Sequence, residues 1–302
     1  MKLNLALPLQ RGSCEGAFHS PEALAAIGAL AERLGFNAVA ESDHPAPPGR
    51  WLDEGGHHAL DPFVCLSFVA AATSRLRLQT AVLILPYRNP FLTARAAASL
   101  DVLSKGRLEL GVGAGYLKGE FHALGVDFER RNERTDEYIR ALKVAWGADE
   151  FAFQGSGYQA RDARIQPRPL QRPHPPLMIG GNSRRAIRRA AELGDGWYPF
   201  RTPPVIAAKS RTASMEGPQD LAPALDHLRA ACDAIGRKAP PQIAVWDLDA
   251  PGVGCEPDLI RERIGRYAEL GVGAVTLGAE GRNPAEWADN VERLAADVLT
   301  RL

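Results

Sequence analysis

The sequence predicts an α/β fold, a single-domain (β/α)8 TIM barrel with loop insertions, spanning residues 1–302. One observation is a recurring phrase in which a helix ends at a glycine, in the left-handed cap conformation, and an apolar strand follows. Its glycines, Gly35, Gly194 and Gly271, are 159 and 77 residues apart. A βα unit of about 38–40 residues fits these spacings four and two times, so the chain holds roughly eight units. The alternation of strand and helix signals also favours a parallel architecture.

Eight short apolar segments are predicted to form the barrel strands. Most of them show little alternation of polar and apolar residues, as expected for parallel strands that are buried on both faces. An open doubly wound sheet is the alternative, but no strand-GxGxxG-helix unit opens the chain. The predicted strands are Lys2–Leu7, Phe36–Glu41, Leu76–Leu83, Arg107–Val112, Leu177–Gly180, Gly196–Pro199, Gln242–Trp246 and Ala274–Leu277.

Helix starts are marked by residues that precede a proline. A proline at the first helical position suits a helix because its missing N–H would have no partner there. In four of the five pairs the preceding side chain is also a good cap. The pairs are Ser20-Pro21, Asp61-Pro62, Asn89-Pro90, Glu256-Pro257 and Asn283-Pro284.

Three loop-like insertions interrupt the repeat, near residues 44–60, 151–176 and 200–220. In a barrel, the loops that follow strands lie on the catalytic face. The 44–60 segment follows the second strand, so it is a candidate substrate wall with Trp51 as a candidate lid residue. The 151–176 segment precedes a strand, and its first part is expected to wrap the outside of the barrel.

The composition is that of a globular enzyme, with 45% hydrophobic and 24% charged residues and zero net charge. A neutral chain gives no electrostatic reason to expect nucleic acid or a membrane surface as a partner. The four cysteines, Cys14, Cys65, Cys232 and Cys255, are far apart. They are interpreted as reduced thiols in a cytoplasmic protein, and no metal site is predicted.

A glycine turn joins the strand Leu177–Gly180 to the next helix. Gly180 and Gly181 allow a sharp turn, and Asn182 or Ser183 can cap the helix that begins there. Free N–H groups and the helix dipole make such a start an anion site. The segment is therefore either a phosphate cradle for a cofactor or substrate, or a tight turn without a ligand.

Candidate catalytic groups lie at the ends of other strands. His44 follows the second strand after Asp43, and it can exchange a proton near pH 7, hydrogen-bond a flavin carbonyl, or be a loop histidine satisfied by its neighbours. The adjacent His57 and His58 are interpreted as surface or lid residues. Glu109, inside the fourth strand, either pairs with a buried arginine, which is the expected role, or points into the site. The glycine-rich turn Gly111–Tyr116, with Gly113 at its centre, would let a flat ligand approach the backbone.

Taken together, these motifs resemble the bacterial luciferase-like monooxygenase superfamily, the (β/α)8 flavin- and deazaflavin-dependent oxidoreductases. The resemblance covers nearly the whole chain. The motifs that carry it are Ser42–His44, Thr80–Pro90, Ala97–Arg107, Leu110–Gly115, Gly119–Phe121 and Gly180–Trp197.

The resemblance implies a cofactor site. The phosphate of F420, or of FMN, would lie at Gly180, Gly181, Asn182 and Ser183, with the ring over the barrel mouth. A non-proline cis peptide often backs the ring in this family, and here it would join Ala81 and Val82. Asp43 and His44 match positions that contact the ring or the substrate, and most such proteins are homodimers.

One departure concerns the proton donor. In the sugar-phosphate dehydrogenases that use F420, a glutamate follows the GxGxG turn, whereas this chain has Tyr116. A sugar phosphate is therefore not the expected substrate. The resemblance instead implies hydride transfer between F420 and a small organic substrate, with His44 and Tyr116 as the catalytic candidates. The alternatives are a two-component monooxygenase that uses reduced FMN and O2, and a non-catalytic flavin-binding barrel.

Overall fold

A computed structural model describes residues 1–10, 16–247 and 256–301. Eight parallel strands close into a barrel in the order β1-β10-β9-β8-β7-β4-β3-β2, so the predicted fold class is confirmed. Every predicted strand is present, with ends that move by two residues at most. The barrel strands are β1 (Lys2–Ala6), β2 (Ala38–Glu41), β3 (Arg77–Ile84), β4 (Leu108–Gly113), β7 (Leu177–Gly180), β8 (Gly196–Tyr198), β9 (Gln242–Trp246) and β10 (Ala274–Leu277).

The five predicted helix starts are confirmed. The side chains of Ser20, Asp61, Asn89 and Asn283 accept hydrogen bonds from first-turn amides, whereas Glu256 makes no such bond. The helices are α1 (Pro21–Leu34), α2 (Gly49–Asp53), α3 (Pro62–Ala72), α4 (Pro90–Leu103), α5 (Lys118–Ala123), α6 (Arg131–Gly147), α7 (Arg184–Leu193), α8 (Pro204–Ser210), α9 (Pro218–Ala234), α10 (Pro257–Glu269) and α11 (Pro284–Asp297).

One of the three helix-ending glycines was assigned the wrong backbone conformation. Gly35 and Gly271 are left-handed as predicted, with φ of 90° and 84°. Gly194 instead has φ of −94° and is extended. A Cβ at this position would lie 2.6 Å from Cγ1 of Ile179, so close packing between the end of α7 and β7 requires the glycine here.

The 151–176 insertion contains two strands that the sequence did not reveal. β5 (Phe151–Gly155) and β6 (Tyr158–Ala163) form an antiparallel hairpin apart from the barrel. The ring of Phe91 on α4 contacts the rings of Phe151 and Tyr158, with centroids 5.3 and 5.5 Å apart. The hairpin therefore packs against the outer helical layer, in keeping with the expected position of this segment.

A polar layer crosses the barrel interior beneath the carboxyl ends of the strands. The buried Tyr198 hydroxyl lies 2.7 Å from Oγ1 of Thr276 and 3.2 Å from Oε1 of Gln79. Gln79 also accepts a hydrogen bond from Asn4 across the barrel. Glu109 pairs with Arg77, as expected, although that arginine is only half-buried.

Cysteine placement is described for two of the four residues. Cys65 and Cys232 are buried free thiols, and burial raises the pKa of both. Cys14 and Cys255 lie outside the described residues. Within the described ranges, no helix is both long and apolar enough to cross a membrane.

Candidate active site

A cavity of about 890 Å³ opens at the carboxyl ends of the barrel strands. Its lining includes residues near or just after the carboxyl ends of β2, β3, β4, β7 and β8, together with part of α8. Nine of the ten site residues predicted from the sequence line this cavity, and Asn182 does not. The nine are Asp43, His44, Ala81, Val82, Gly113, Tyr116, Gly180, Gly181 and Ser183.

His44 is held by a buried carboxylate. Its Nδ1 atom lies 3.3 Å from Oε2 of Glu120, which is only 1% exposed. Glu120 also accepts hydrogen bonds from the Tyr87 hydroxyl at 2.8 Å and from the backbone N–H of Ala46 at 3.3 Å. With the carboxylate oxygen as the acceptor of this contact, Nδ1 of His44 is the donor. The second ring nitrogen, Nε2, is thereby left to exchange a proton or a hydrogen bond with a ligand.

An aromatic wall surrounds His44. The rings of Trp51, His57 and Tyr116 lie with centroids 4.7, 4.8 and 6.2 Å from the His44 ring. Burial and the neighbouring His44 lower the pKa of His57 to about 4, so His57 is neutral at pH 7. Burial and nearby Glu120 raise the pKa of Tyr116 to about 12, so its hydroxyl keeps its proton.

The segment 44–60 therefore contributes to the cavity wall, as the sequence predicted. Trp51, on the short helix α2, is half-buried against His44. At the end of this helix Glu54 pairs with Lys209 of α8, with Nζ and Oε2 3.2 Å apart. Of the two adjacent histidines, His57 lines the cavity and His58 is exposed.

The predicted cis peptide is present between Ala81 and Val82. It lies where the pairing of β3 with β4 changes register, between Thr80 and Leu83. The Val82 methyl groups would lie 2.7 Å from a Cβ placed on either Gly113 or Gly180. The two glycines thus make room for Val82, a reason for glycine that differs from the expected close approach of a ligand to the backbone.

Asp43 acts as a brace between two loops. Its carboxylate accepts two hydrogen bonds from Arg88, at 2.5 and 2.9 Å, and one from the Ile84 N–H at 2.9 Å. Arg88 also pairs with Asp61, the cap of α3. Burial raises the pKa of Asp43, and the ion pair with Arg88 opposes this shift. These contacts hold the chain just before His44, at Asp43, and just after Val82, at Ile84.

Of the two candidate caps of α7, Ser183 is the one that caps it. Its Oγ accepts the Ala186 N–H at 3.2 Å. Asn182 ties the loops together instead, since its side chain donates to the carbonyls of Phe200 and Ala213 and accepts the Phe200 N–H. With all these bonds made inside the protein, the Asn182 side chain supports the turn at Gly180 and Gly181.

Two buried glutamates stand out around the site. Glu120, which belongs to the Gly119–Phe121 motif, is the hydrogen-bond partner of His44. Glu41, at the end of β2, is fully buried, and neither carboxylate oxygen has a hydrogen-bond partner in the described part of the chain. Burial therefore raises the pKa of Glu41 well above its usual 4.5. Among the described residues, no group of three or more His, Cys, Asp or Glu side chains could hold a metal ion.

Sequence comparison finds relatives that match between 42% and 91% of this chain. The family profile of luciferase-like monooxygenases matches residues 1–246. An uncharacterised protein of Mycobacterium tuberculosis is 31% identical over 287 residues, which is 91% of this chain and 93% of that protein. An FMNH2-dependent dimethylsulfone monooxygenase of Pseudomonas putida is 41% identical over 131 residues, which cover 42% of this chain and 36% of the relative. An F420-dependent glucose-6-phosphate dehydrogenase of Microbacterium testaceum is 32% identical over 198 residues, with 64% and 57% coverage.

Solved structures share the fold at lower identity. A monooxygenase from Streptomyces bottropensis superposes with a TM-score of 0.81 at 23% identity, covering 100% of this chain and 99% of that one. An F420-dependent secondary alcohol dehydrogenase, solved with an F420-acetone adduct, gives a TM-score of 0.78 at 16% identity, with 98% coverage of both chains. At these identities the structures establish a common fold.

Proposed function

Because this chain belongs to the luciferase-like monooxygenase family, we propose that it transfers a hydride between the deazaflavin F420 and a small organic substrate. The observation that carries the proposal is the pairing of His44 with the buried Glu120 at the wall of the cavity. Hydride transfer to or from an oxygen-bearing carbon also needs a proton acceptor or donor, and this pair is suited to the role.

The cavity fits a flavin-sized cofactor. Its volume of about 890 Å³ is within the range of small-molecule sites. The helix α7 begins at the cavity with Arg184 and Arg185 and has no acid in its first turn. This is opposite to the preference of the helix dipole, so the N-terminus is strongly positive and suits a phosphate. Gly181, Ser183 and the first amides of α7 would hold that phosphate.

The chain's own side chains would organise the reaction around His44. The bound deazaflavin ring would supply the hydride acceptor or donor. Glu120 fixes the His44 ring and stabilises its positive charge, so Nε2 takes up the proton that a substrate hydroxyl releases on oxidation and returns it in reduction. Tyr116, which stays protonated, would donate a hydrogen bond to the substrate. Trp51 and His57 restrict the access of water from the side of α2.

Two further parts of the proposal concern partners and location. We propose a homodimer, and the exposed apolar side chains of Val64 and Phe68 on α3 and Leu92 on α4 support a contact between copies. We also propose that the protein is cytoplasmic and that its substrate is a small molecule.

The second candidate is a monooxygenase that uses reduced FMN. The observation in its favour is the 41% identity, over 131 residues, to a dimethylsulfone monooxygenase that depends on FMNH2. The cavity and His44 are compatible with either cofactor, so the two functions are separated by binding and by reactivity towards oxygen.

The experiment is a titration of the purified protein with F420 and with FMN, each in both redox states, followed by fluorescence. We expect tighter binding of F420 and no rapid oxygen consumption when the cofactor is reduced. Tight FMN binding, together with oxygen consumption fed by NAD(P)H, would overturn the proposal in favour of the monooxygenase. Cofactor binding without turnover on a broad panel of alcohols and carbonyl compounds would favour the non-catalytic barrel.

The roles of His44 and Glu120 are tested by substitution. His44→Ala should lower turnover by about 10²–10⁴-fold with little change in cofactor affinity. Glu120→Gln keeps the shape but replaces the carboxylate that accepts the hydrogen bond from Nδ1, so turnover should fall while cofactor affinity is retained. Tyr116→Phe removes only the hydroxyl, so it tests whether Tyr116 is the proton donor in place of His44. A His44→Ala enzyme with weaker cofactor binding but normal saturated turnover would instead assign His44 to the ring.

A further inference from the structure

Positive charge is concentrated at the cavity of an otherwise neutral protein. The chain carries 36 basic and 36 acidic residues. The cavity lining contains five cationic side chains but only the carboxylates of Asp43 and Glu54. The cations are Arg131, Arg189, Arg201, Lys209 and Arg211. The lining therefore has an excess of positive charge, which favours an anionic ligand.

Three of these cations are engaged within the protein. Arg189 pairs with Asp136, and Lys209 pairs with Glu54. Arg201 donates to the carbonyl of Glu216 and lies 3.9 Å from Asp247. Their charges therefore serve, at least in part, to connect structural elements.

The other two cations form no ion pair within the described ranges. The guanidinium of Arg131 donates only to the carbonyl of Phe128, at 2.9 Å, and the guanidinium of Arg211 has no hydrogen-bond partner among the described residues. Glu129, an acid close to Arg131, lies 3.9 Å from Lys118 instead. Two guanidinium groups at a ligand cavity thus keep donors for a further acceptor, and each guanidinium offers a planar fork that matches a carboxylate.

Both guanidinium groups lie against one buried ring. Their central carbons are 3.9 Å (Arg131) and 5.0 Å (Arg211) from the centroid of Phe128, which is 2% exposed. Burial lowers the pKa of Arg131, the negative charge of Glu129 opposes this shift, and the positive charges of Arg211 and Arg185 add to it. Arg211 has φ of 52°, a left-handed conformation that few residues other than glycine adopt. An anion between the two groups would relieve their mutual repulsion.

The two guanidinium groups adjoin the proposed phosphate position at Ser183. Arg211 immediately precedes Thr212, whose Oγ1 accepts the N–H of Asn182 at 3.3 Å. Arg131 begins α6, which Arg189 of α7 joins through Asp136. A single ligand with its phosphate at Ser183 could therefore place a further anionic group beside Phe128.

We propose that Arg131 and Arg211, arranged around Phe128, form a second anion subsite that binds carboxylates carried by the ligand beyond its phosphate. This rests on the proposed function, because F420 extends past its phosphate into a tail of carboxylates whereas FMN ends at the phosphate. A carboxylate on an acidic substrate has the same chemistry, so the experiment separates the two sources.

The test compares F420 that bears a glutamate tail with the same cofactor lacking the glutamates, both in the absence of substrate. The wild-type protein should bind the glutamylated form about tenfold or more tightly, which corresponds to one charge-assisted hydrogen bond. The difference should shrink as salt is raised. The variant Arg131→Gln/Arg211→Gln should bind both forms equally, and Arg229→Gln, which removes an exposed charge from α9, should behave as wild type.

The outcomes are distinguishable. If the wild-type protein binds neither F420 form nor FMN, the proposed function fails. If it binds both F420 forms equally, and the double variant has a normal KM for acidic substrates, the subsite alone is overturned. If the tail makes no difference but the double variant raises KM for acidic substrates selectively, the subsite stands and its carboxylate belongs to the substrate. Circular dichroism and melting of the double variant show whether it remains folded.

Discussion

Replacing Gly113 by alanine tests whether the side chain of Val82 occupies the space beside this glycine at the cavity wall. A Cβ at this position would lie 2.7 Å from Cγ2 of Val82, whereas unstrained carbon atoms approach to about 3.5–4.0 Å. The side chain of Val82 or the backbone of β4 must therefore shift. Overpacking of this kind costs about 1–3 kcal/mol of folding free energy.

A second change identifies the atoms that clash. Val82 is half-buried, so Val82→Ala alone should cost about 1 kcal/mol for the two carbons removed. In the double variant Gly113→Ala/Val82→Ala the clashing methyl group is absent. The double variant should then be more stable than the sum of the single changes by about 1–3 kcal/mol, a coupling expected for residues in contact.

Gly111→Ala is the matched control. A Cβ at this position would lie 2.1 Å from the carbonyl oxygen of Thr80, a backbone atom that Val82→Ala does not remove. Equilibrium unfolding in urea of the wild type, the single variants and both double variants gives the two coupling energies. Additivity within about 0.5 kcal/mol for Gly113 and Val82 would show that Val82 does not fill this space.

Three further outcomes are expected. Ser183→Asp should bind the phosphate-bearing cofactor at least about tenfold more weakly than Ser183→Asn, because both residues cap α7 but only aspartate repels the phosphate; equal affinities would place the phosphate elsewhere. Native Glu41 holds a proton that the unfolded chain releases above pH 4.5, so wild-type stability should fall as pH rises, by up to about 1.4 kcal/mol per pH unit. Glu41→Gln should lack this fall in urea unfolding at pH 5 to 8, and parallel profiles would mean that native Glu41 is ionised. Light scattering should give twice 32.6 kDa, with Phe68→Glu shifting the protein towards monomer; a wild-type monomer would contradict the dimer.

The barrel was predictable because its signals are local. Parallel strands buried on both faces must be dense in apolar residues, and a proline after a capping side chain starts a helix wherever it occurs. The β5–β6 hairpin was missed because its strands, Phe151–Gly155 and Tyr158–Ala163, are short, half-exposed and placed in a segment rich in glycine and proline. The conformation of Gly194 depends on the packing of Ile179 against it, which no local pattern encodes.

The site was predictable as a set of strand ends but less so as a set of contacts. His44 was singled out because it follows a recognisable strand, and Val82 because the family resemblance implies a cis peptide in the third strand. The contact of His44 with Glu120 joins residues 76 positions apart, and the chain itself carries no signal that these loops meet. The glycines of β4 and β7 were located correctly, but their reason, the space taken by Val82, appears only in three dimensions.

The cavity divides into two halves with different physical tasks. Around His44, the side chains of His57 and Tyr116 add no charge near pH 7, because the pKa of His57 is about 4 and that of Tyr116 is about 12. The cations Arg131 and Arg211 lie in the other half, beside the cradle. In the proposed function, long-range attraction of an anionic ligand would therefore come from one half and proton transfer would take place in the other. Added salt screens the first and leaves the buried Glu120–His44 contact nearly unaffected. Raising ionic strength should thus weaken cofactor binding while turnover at saturating cofactor stays nearly constant.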